Sequence, residues 1–393
     1  MKKTKNTLIL LLSVCISTVL GCASAPVPSS KLTGTSLVLS GQWLVDSNGQ
    51  LINDPQPSGL TFWADQLVMI ADASAAEAQV KRLHFINHTN AQREVLSPTY
   101  KIAESLEQTC FNQYLLSKPD LEALVKDPAN PQGFITVTED ASVLGKLTEE
   151  CADRFKNTHS TVYPTVLVRL HWDGAQLLVT GVRAVQFPDN ADIGNSPNDG
   201  IEGLSIVDQT LYIALEKDKH FRARIFSTVV DDTFWLETGF VSVVDEKLML
   251  PELNQPGQRA VPHPINGMDT FVYQGNTWLL AAARNDNQLW LIDLAKQRPT
   301  KIVDVTFMAP TQLINEPVLA GCPTYTKMDN ASLEGVAVAD GNVYLVNDPW
   351  KRNYWKNIQC ESTRSAYAEH MNGLLFTTTV AELFRHARDV GAE

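Results

Sequence analysis

Short apolar runs broken by polar turns dominate this chain, and one such pair sets the pattern for the rest. Glu202-Gly203-Leu204-Ser205-Ile206-Val207, the turn Asp208-Gln209-Thr210, and Leu211-Tyr212-Ile213-Ala214-Leu215-Glu216 read as a β-hairpin with a carboxylate at each end. Antiparallel pairing brings Glu202 and Glu216 to the same edge although they lie 14 positions apart. Glu334 to Asp348 repeats the pattern position for position, and Ser58 to Asp72 is a third copy with Ser in place of the first Glu. A fourth copy, Asn266-Gly267-Met268-Asp269 to Trp278-Leu279-Leu280-Ala281-Ala282, has a turn read as two residues longer and no terminal acid.

The glycines that open these copies stand at 59, 203, 267 and 335, so successive gaps are 144, 64 and 68. Two near-equal gaps and one about twice as long predict a repeated four-strand unit. Radial repetition of such units, which protects the strand edges, predicts an all-β propeller of five or six blades, with six favoured. The first and last strands are expected to share one blade. A β-sandwich would leave the repeat unexplained. Other strands are expected at Val166–Trp172, Leu177–Thr180, Arg224–Val230, Leu289–Leu294, Ile302–Phe307 and Leu374–Thr378.

Residues 89–157 break the pattern and predict a mainly helical insertion. Leu106, Cys110 and Tyr114, and again Leu147, Cys151 and Phe155, recur every four positions, which places each Cys on the apolar face of a helix. Pro119 to Val125, with acids early, reads as a further short helix. Residues 33–380 are thus expected to form the propeller with its insertion, and 381–393 a tail.

The N-terminus adds a location. Lys2, Lys3 and Lys5 precede an apolar run from Leu8 to Leu20, followed by Gly21 and Cys22. The Val19-Leu20-Gly21-Cys22 end resembles a bacterial lipobox, which implies a signal peptide over 1–21, cleavage before Cys22 and acylation of that residue. Residues 22–32, rich in Pro, Ala and Ser, read as a tether. Ala23 and Ser24 look like an outer-membrane sorting signal, so the expected partner is a lipid bilayer, at the periplasmic or surface face of the envelope. Removing the three lysines takes the formal charge from −12 to −15, and an acidic chain without a basic run is a poor nucleic-acid binder. Four cysteines remain, Cys110, Cys151, Cys322 and Cys360, which allow three pairings. Local pairing, Cys110–Cys151 and Cys322–Cys360, is favoured, and the absence of Cys-x-x-Cys spacing argues against zinc.

In a propeller the innermost strand of each blade lines the central channel, so Ser58, Glu202, Asn266 and Glu334 should ring one mouth. Glu216, Asp348 and Asp72 should stand one step outward. Carboxylates crowded in a funnel are costly unless a cation or hydrogen bonds offset them. Oxygen donors without His or Cys favour a hard cation, calcium first. The plainer reading is that the acids accept backbone N–H groups from nearby loops. Lys217, Lys219, Arg222, Arg224, Arg284, Lys351 and Arg352 follow the outer positions and suggest an anionic ligand at the same mouth. His263, just before Asn266, is the candidate general base, with Glu216 beside it. His84 and His171 sit in alternating strands and read as structural. No nucleophile elbow, phosphate loop or dinucleotide fingerprint occurs.

The Asn198-Asp199-Gly200-Ile201-Glu202-Gly203-Leu204 stretch, the Leu215-Glu216-Lys217-Asp218 end and the two related copies resemble the phytase-like, esterase-like β-propeller family of bacterial exported proteins. More distantly they resemble gluconolactonase and paraoxonase propellers. The resemblance implies a calcium held at inner-strand starts, here Glu202, Asn266 and Glu334, with Asp269 and Asp348 nearby. It covers roughly residues 58 to 350, and Ser58 and Ala282 depart from it. The expected function is metal-assisted hydrolysis of a small ester, phosphoester or lactone. The alternative is a non-catalytic propeller that binds a ligand or a protein partner.

Overall fold

The computed structural model describes residues 36–142, 145–195, 200–254, 259–313 and 321–390. The expected leader, Cys22 and the expected tether therefore lie outside the described residues, as do Asn198 and Asp199.

Strand β1 (Leu37–Trp43) alternates buried Leu37, Leu39 and Trp43 with exposed Val38, Ser40 and Gln42. A first sheet follows: β2 (Pro57–Trp63), β3 (Gln66–Ala71), β4 (Leu83–Ile86) and β5 (Arg93–Leu96). After the two-residue β6 (Lys101–Ile102) and helix α1 (Asn112–Leu116), a second sheet contains β7 (Leu121–Lys126), β8 (Gly133–Thr138), β9 (Val166–Trp172) and β10 (Leu177–Gln186). Helix α2 (Glu149–Arg154) lies between β8 and β9. The third sheet is β11 (Ile201–Val207), β12 (Thr210–Leu215), β13 (Arg224–Val229) and β15 (Val244–Asp245), while β14 (Val241–Ser242) pairs with β10 of the second. The fourth is β16 (Ile265–Tyr273), β17 (Asn276–Ala283), β18 (Gln288–Asp293) and β19 (Lys301–Pro310), with β20 (Tyr325–Lys327) paired to the end of β19. The fifth is β21 (Leu333–Ala339), β22 (Asn342–Asn347) and β23 (Leu374–Thr379), completed by β1, which pairs antiparallel with β23. Helix α3 (Val380–His386) and β24 (Arg388–Asp389) end the described chain.

These sheets are the five blades of a β-propeller. Innermost strands β2, β7, β11, β16 and β21 each pack against the next, and β21 packs back against β2, so the ring closes. Closure is covalently economical because the first strand of the chain supplies the outermost strand of the last blade. It also joins β1 in parallel to β19, with Leu37 opposite Val305. Hydrophobic clusters fill the seams between successive blades. Leu124, Phe134 and Val166 meet Val68, Ile70 and Phe85 between blades one and two, and Met268, Leu279 and Trp290 meet Ala214 and Ile225 between blades three and four. Five seams account for the core, so five blades, rather than the six favoured from repeat length, close the ring.

Tight turns drive the inner hairpins. Gln274-Gly275 and Asp340-Gly341 both have positive φ, at 50° and 75°, and 49° and 77°, as two-residue hairpin turns require. The fourth hairpin therefore has the same turn length as its relatives. Its arms are longer instead, nine and eight residues against seven and six in the third.

The stretch 89–157 is only partly the helical insertion expected. Helices α1 and α2 are present, and the bond Cys110–Cys151 joins their surroundings, with Cα atoms 5.6 Å apart. The second bridge, Cys322–Cys360, likewise follows the local pairing, at 5.9 Å. Residues 119–125, however, are not a helix: they enter β7, and β7 and β8 are the inner half of blade two. The near-double gap in the repeat is thus one whole additional blade plus the two helices.

His84, on β4, is a structural histidine as expected. It is fully buried, its Nε2 lies 3.0 Å from the Gln79 carbonyl, and burial pushes its pKa down to about 4. The unfolded chain, with a His pKa near 6.5, binds this proton more readily, so stability should be full above that value and fall as pH drops towards 4. The difference is worth about 3 kcal/mol. Urea denaturation of wild type and His84→Gln between pH 7 and pH 4 should show a shallower decline in the variant. Equal slopes would refute the neutral, buried imidazole.

Candidate functional site at the channel mouth

Each inner strand begins with the same irregularity. The register of the inner hairpin slips at Pro57/Gly59 in blade one, Ile201/Gly203 in blade three, Ile265/Gly267 in blade four and Leu333/Gly335 in blade five. In blade two the slip falls between Glu122 and Val125, where Ala123 takes a φ of 51°. A bulge re-aims the side chain it contains. Five bulges on five inner strands therefore set five side chains in a ring: Ser58, Glu122, Glu202, Asn266 and Glu334. All are buried, none more than 8% exposed. The residues that follow the partner strands form a second ring: Asp72, Glu139, Glu216, Arg284 and Asp348.

The residues expected at the mouth, Glu202, Asn266, Glu334, Glu216 and Asp348, thus occupy equivalent positions in their blades. Glu122 and Glu139 belong with them and escaped the sequence reading. Their signal was present: Leu121-Glu122-Ala123-Leu124 is the same apolar–acid–small–apolar start, with Ala in place of Gly. Pro119-Asp120 ahead of it imitated a helix start. Arg284, expected at the mouth only as one of several basic residues, is the blade-four member of this second ring. Register places it, not Ala282, opposite the start of its hairpin, because Ile265 pairs with Ala283.

Arg284 divides the mouth into two halves. Its guanidinium bridges Glu334, at 2.9 Å, and Asp348, at 3.0 Å, while Nε donates to Ser332 Oγ at 2.9 Å and the Trp350 ring lies 5.6 Å away. Burial alone would lower the guanidinium pKa, but Glu334, Asp348 and Glu202 raise it overall. Burial pushes Asp348 up to about 6, against the pull of Arg284, and raises Glu334 well above the usual carboxylate range. One oxygen of each, Asp348 Oδ1 and Glu334 Oε2, is buried without a hydrogen-bond partner.

The other half carries mainly acids. Oxygens of Glu139, Glu202 and Glu216 lie within 4.8 Å of one another, and so do oxygens of Asp120, Glu122 and Glu139. Burial, followed by the charges of Asp120 and Glu216, pushes Glu139 up to about 8. Burial and Glu139 raise Glu202, burial and Glu202 raise Glu122, and burial and Asp348 push Asp72 to about 7. Some contacts partly offset this. Ser58 Oγ donates to Glu122 Oε2, and the Ala73 N–H donates to Asp120 Oδ1 at 2.7 Å. The plainer reading, acids serving backbone donors, thus holds for Asp120. Glu139 takes the Gly200 N–H as well, although its Oε1 is buried and unpartnered, and Asn266 beside these acids is fully buried with both Oδ1 and Nδ2 unpartnered.

Three sequence expectations need correction. Asp269 is not at the mouth: it lies three residues further along β16, about 10 Å down the strand. Its Oδ2 accepts the Val338 N–H and its Oδ1 the Thr270 N–H, both at 2.7 Å, tying blade four to blade five. His263 precedes the inner strand and has already turned away. Its Nδ1 sits 2.9 Å from Asp286, and the ring borders a groove of about 640 Å³ with Arg222, Leu250 and Trp290. The basic residues do not form an open anion cradle. Arg222 and Arg224 both engage buried Asp218, at 2.7 and 3.1 Å, and Lys351 pairs with Asp54 at 3.0 Å. Lys219 pairs with Asp192.

Fold and site together define a five-bladed β-propeller with a carboxylate-lined mouth. No family model matches the chain, and no curated protein matches it in sequence. Solved structures with similar folds include the Mala s 1 allergen of Malassezia sympodialis, 11% identical, covering 84% of this chain and 80% of that one at a TM-score of 0.39. The GH43_1 enzyme of Xanthomonas citri is 8% identical over 86% of this chain and 90% of its own, at 0.41. The Trypanosoma rangeli sialidase is 11% identical over 88% and 57%, at 0.38. At such identities and scores the likeness carries nothing about chemistry, and the propeller rests on its own sheet topology.

Proposed function

We propose that this is an exported lipoprotein, anchored to the bacterial outer membrane through acylated Cys22, whose propeller mouth hydrolyses a small ester, phosphoester or lactone with the help of a hard divalent cation. The observation that carries the reading is the trio Glu139, Glu202 and Glu216, with oxygens within 4.8 Å of one another, beside a fully buried Asn266 that has no partner. An all-oxygen donor set of this kind suits calcium. The donors differ from those implied by family resemblance, since Arg284 already neutralises Glu334 and Asp348. The resemblance to phytase-like, esterase-like propellers supports the reaction class.

When bound, such a cation supplies Lewis acidity and lowers the pKa of a coordinated water. The chain supplies the remaining functions. Glu139, Glu202 and Glu216 hold the cation, with the Asn266 amide oxygen as a neutral donor next to them. Arg284 keeps Asp348 oriented through Oδ2, leaving Oδ1 free to take a proton from water. A carboxyl titrating at about 6 is suited to that role near neutral pH. Asp348 therefore replaces His263 as the candidate base, and Glu216 becomes a candidate ligand.

Metal analysis of mature protein purified without chelator should find calcium. Glu202→Gln should weaken its binding by at least about tenfold and abolish turnover of an ester, phosphoester and lactone panel without lowering the melting temperature. Wild-type protein free of metal and inert on the whole panel would refute this reading and favour a propeller that only binds.

A further inference from the structure

A groove of about 640 Å³ opens at the seam of blades three and four, lined by residues that take no part in the two rings at the mouth. Its volume lies within the range of sites that enclose a small molecule, about 300–1,000 Å³. We infer that this groove is a second ligand site, and that it takes a small anion with a flat apolar body, such as an aromatic carboxylate. The inference is independent of the chemistry proposed for the mouth.

Two loops build the walls. The first joins β12 to β13 and is wound around Asp218, whose side chain is shut off from solvent. Asp218 Oδ1 accepts the N–H groups of His220 and Arg222, at 2.9 and 3.0 Å, and the Asp218 N–H donates to the Arg222 carbonyl. So tight a closure holds Phe221 at a φ of 63°, which is costly for any residue with a Cβ and most of all for a bulky one. Burial does little to offset that cost, because Phe221 is 40% exposed and lines the groove. The second wall follows β15. Lys247 there also has a positive φ, 49°, with its N–H held by Asp245 Oδ1 at 3.0 Å. Strain of this kind gathers where a protein clamps a ligand, and here two such residues line one groove.

The lining is part apolar and part charged. Leu248, Leu250 and Leu253 lie half-buried against the core cluster that holds Ala214, Ile225 and Trp290, and Phe221 adds an exposed ring. A flat apolar body suits these surfaces, since aromatic rings gain from packing offset or edge-on. Most of the charges are matched already. Asp192 pairs with Lys219 and His220, and Asp245 with Arg224. Arg222 donates to Asp218 through Nε and Nη2, which leaves Nη1 without a partner among the described residues. Lys247 has no ion pair among the described residues, and neither has Glu252, which is exposed and lines the groove. An anionic head that engages Lys247 and Arg222 Nη1 gains charge-assisted hydrogen bonds, and Glu252 opposes it by repulsion.

The test uses the mature chain and follows the fluorescence of naphthoate, with uncharged naphthylmethanol as the comparison. Wild type should bind naphthoate saturably and about tenfold more tightly than the alcohol. Lys247→Ala should remove most of that preference, and Glu252→Gln should bind naphthoate at least as tightly as wild type. Phe221→Gly should weaken both probes by roughly fivefold without lowering the melting temperature, since glycine accepts the positive φ. A phenyl that served only the fold would lower the melting temperature and leave binding unchanged. Glu202→Gln, at the mouth, should leave naphthoate binding intact. Far-ultraviolet circular dichroism establishes that each variant folds. Wild type without saturable naphthoate binding overturns the site, and so does an affinity that Lys247→Ala and Phe221→Gly leave unchanged. Loss of binding in Glu202→Gln would place the anion at the mouth and likewise overturn the groove.

Discussion

Arg284→Met is expected to destabilise the propeller by about 3 kcal/mol, because breaking a buried ion pair leaves its partners as uncompensated charges. Methionine keeps the apolar stem, which packs under Trp350, and removes only the guanidinium. Two carboxylates, Glu334 and Asp348, lose their partner at once, and both are buried. The loss should lie at the lower end of what such breaks cost, since these groups can take up protons instead. Asp348 already titrates at about 6 with Arg284 in place. The destabilisation should therefore be smaller at pH 5 than at pH 8, where protonation no longer relieves it. The triple variant Arg284→Met, Glu334→Gln, Asp348→Asn should recover most of the stability by removing the stranded charges together with the cation. Equilibrium urea denaturation at the two pH values measures all of this. A single variant as stable as wild type at pH 8 would mean that Arg284 does not neutralise this half of the mouth.

Much of this architecture was legible in the chain, and its gaps have physical causes. Four of five inner hairpins were visible, because a bulge that turns a side chain toward the axis favours a small residue after it, and Gly is conspicuous. The fifth was hidden by one methyl group, Ala123, and by Pro119, which mimics a helix start. That concealment also pushed the blade count upward: the long gap contained an ordinary blade. The equivalence of Arg284 to the outer acids was hidden for another reason. Strands β16 and β17 are each two residues longer than those of blade three, so the equivalent position lies further along the chain. His263 illustrates the opposite error. Closeness in sequence to Asn266 suggested closeness in space, but the chain just before β16 leaves the axis, and Asp286 holds this imidazole at the seam with blade three.

Gly59→Ala should cost about 3 kcal/mol, the upper end for overpacking a well-filled site, whereas Gly203→Ala should cost about 1 kcal/mol or less. Both glycines occupy the same place in the repeat, so a role in backbone flexibility alone predicts equal effects. Their surroundings differ. A Cβ at Gly59 would press on the backbone of blade two, against the Ala123 carbonyl carbon and the Leu124 nitrogen, and 2.7 Å from the Ala123 Cα. Backbone of a neighbouring inner strand cannot move without opening the ring. A Cβ at Gly203 would meet the Ala214 Cβ at 3.0 Å and the Met268 Cγ at 3.2 Å, the latter on a flexible side chain that can swing aside. Gly267 follows Gly59, since its Cβ would strike the carbonyl of Glu334 on β21. Natural Ala123 shows that the position accepts a methyl group where the local backbone shifts to suit it. Chemical denaturation of Gly59→Ala, Gly203→Ala and Gly267→Ala decides the matter. Equal losses would mean that the repeat keeps glycine for chain conformation. A loss confined to Gly59 and Gly267 would mean that it keeps glycine so that inner strands can approach closely enough to gather their acids into one ring.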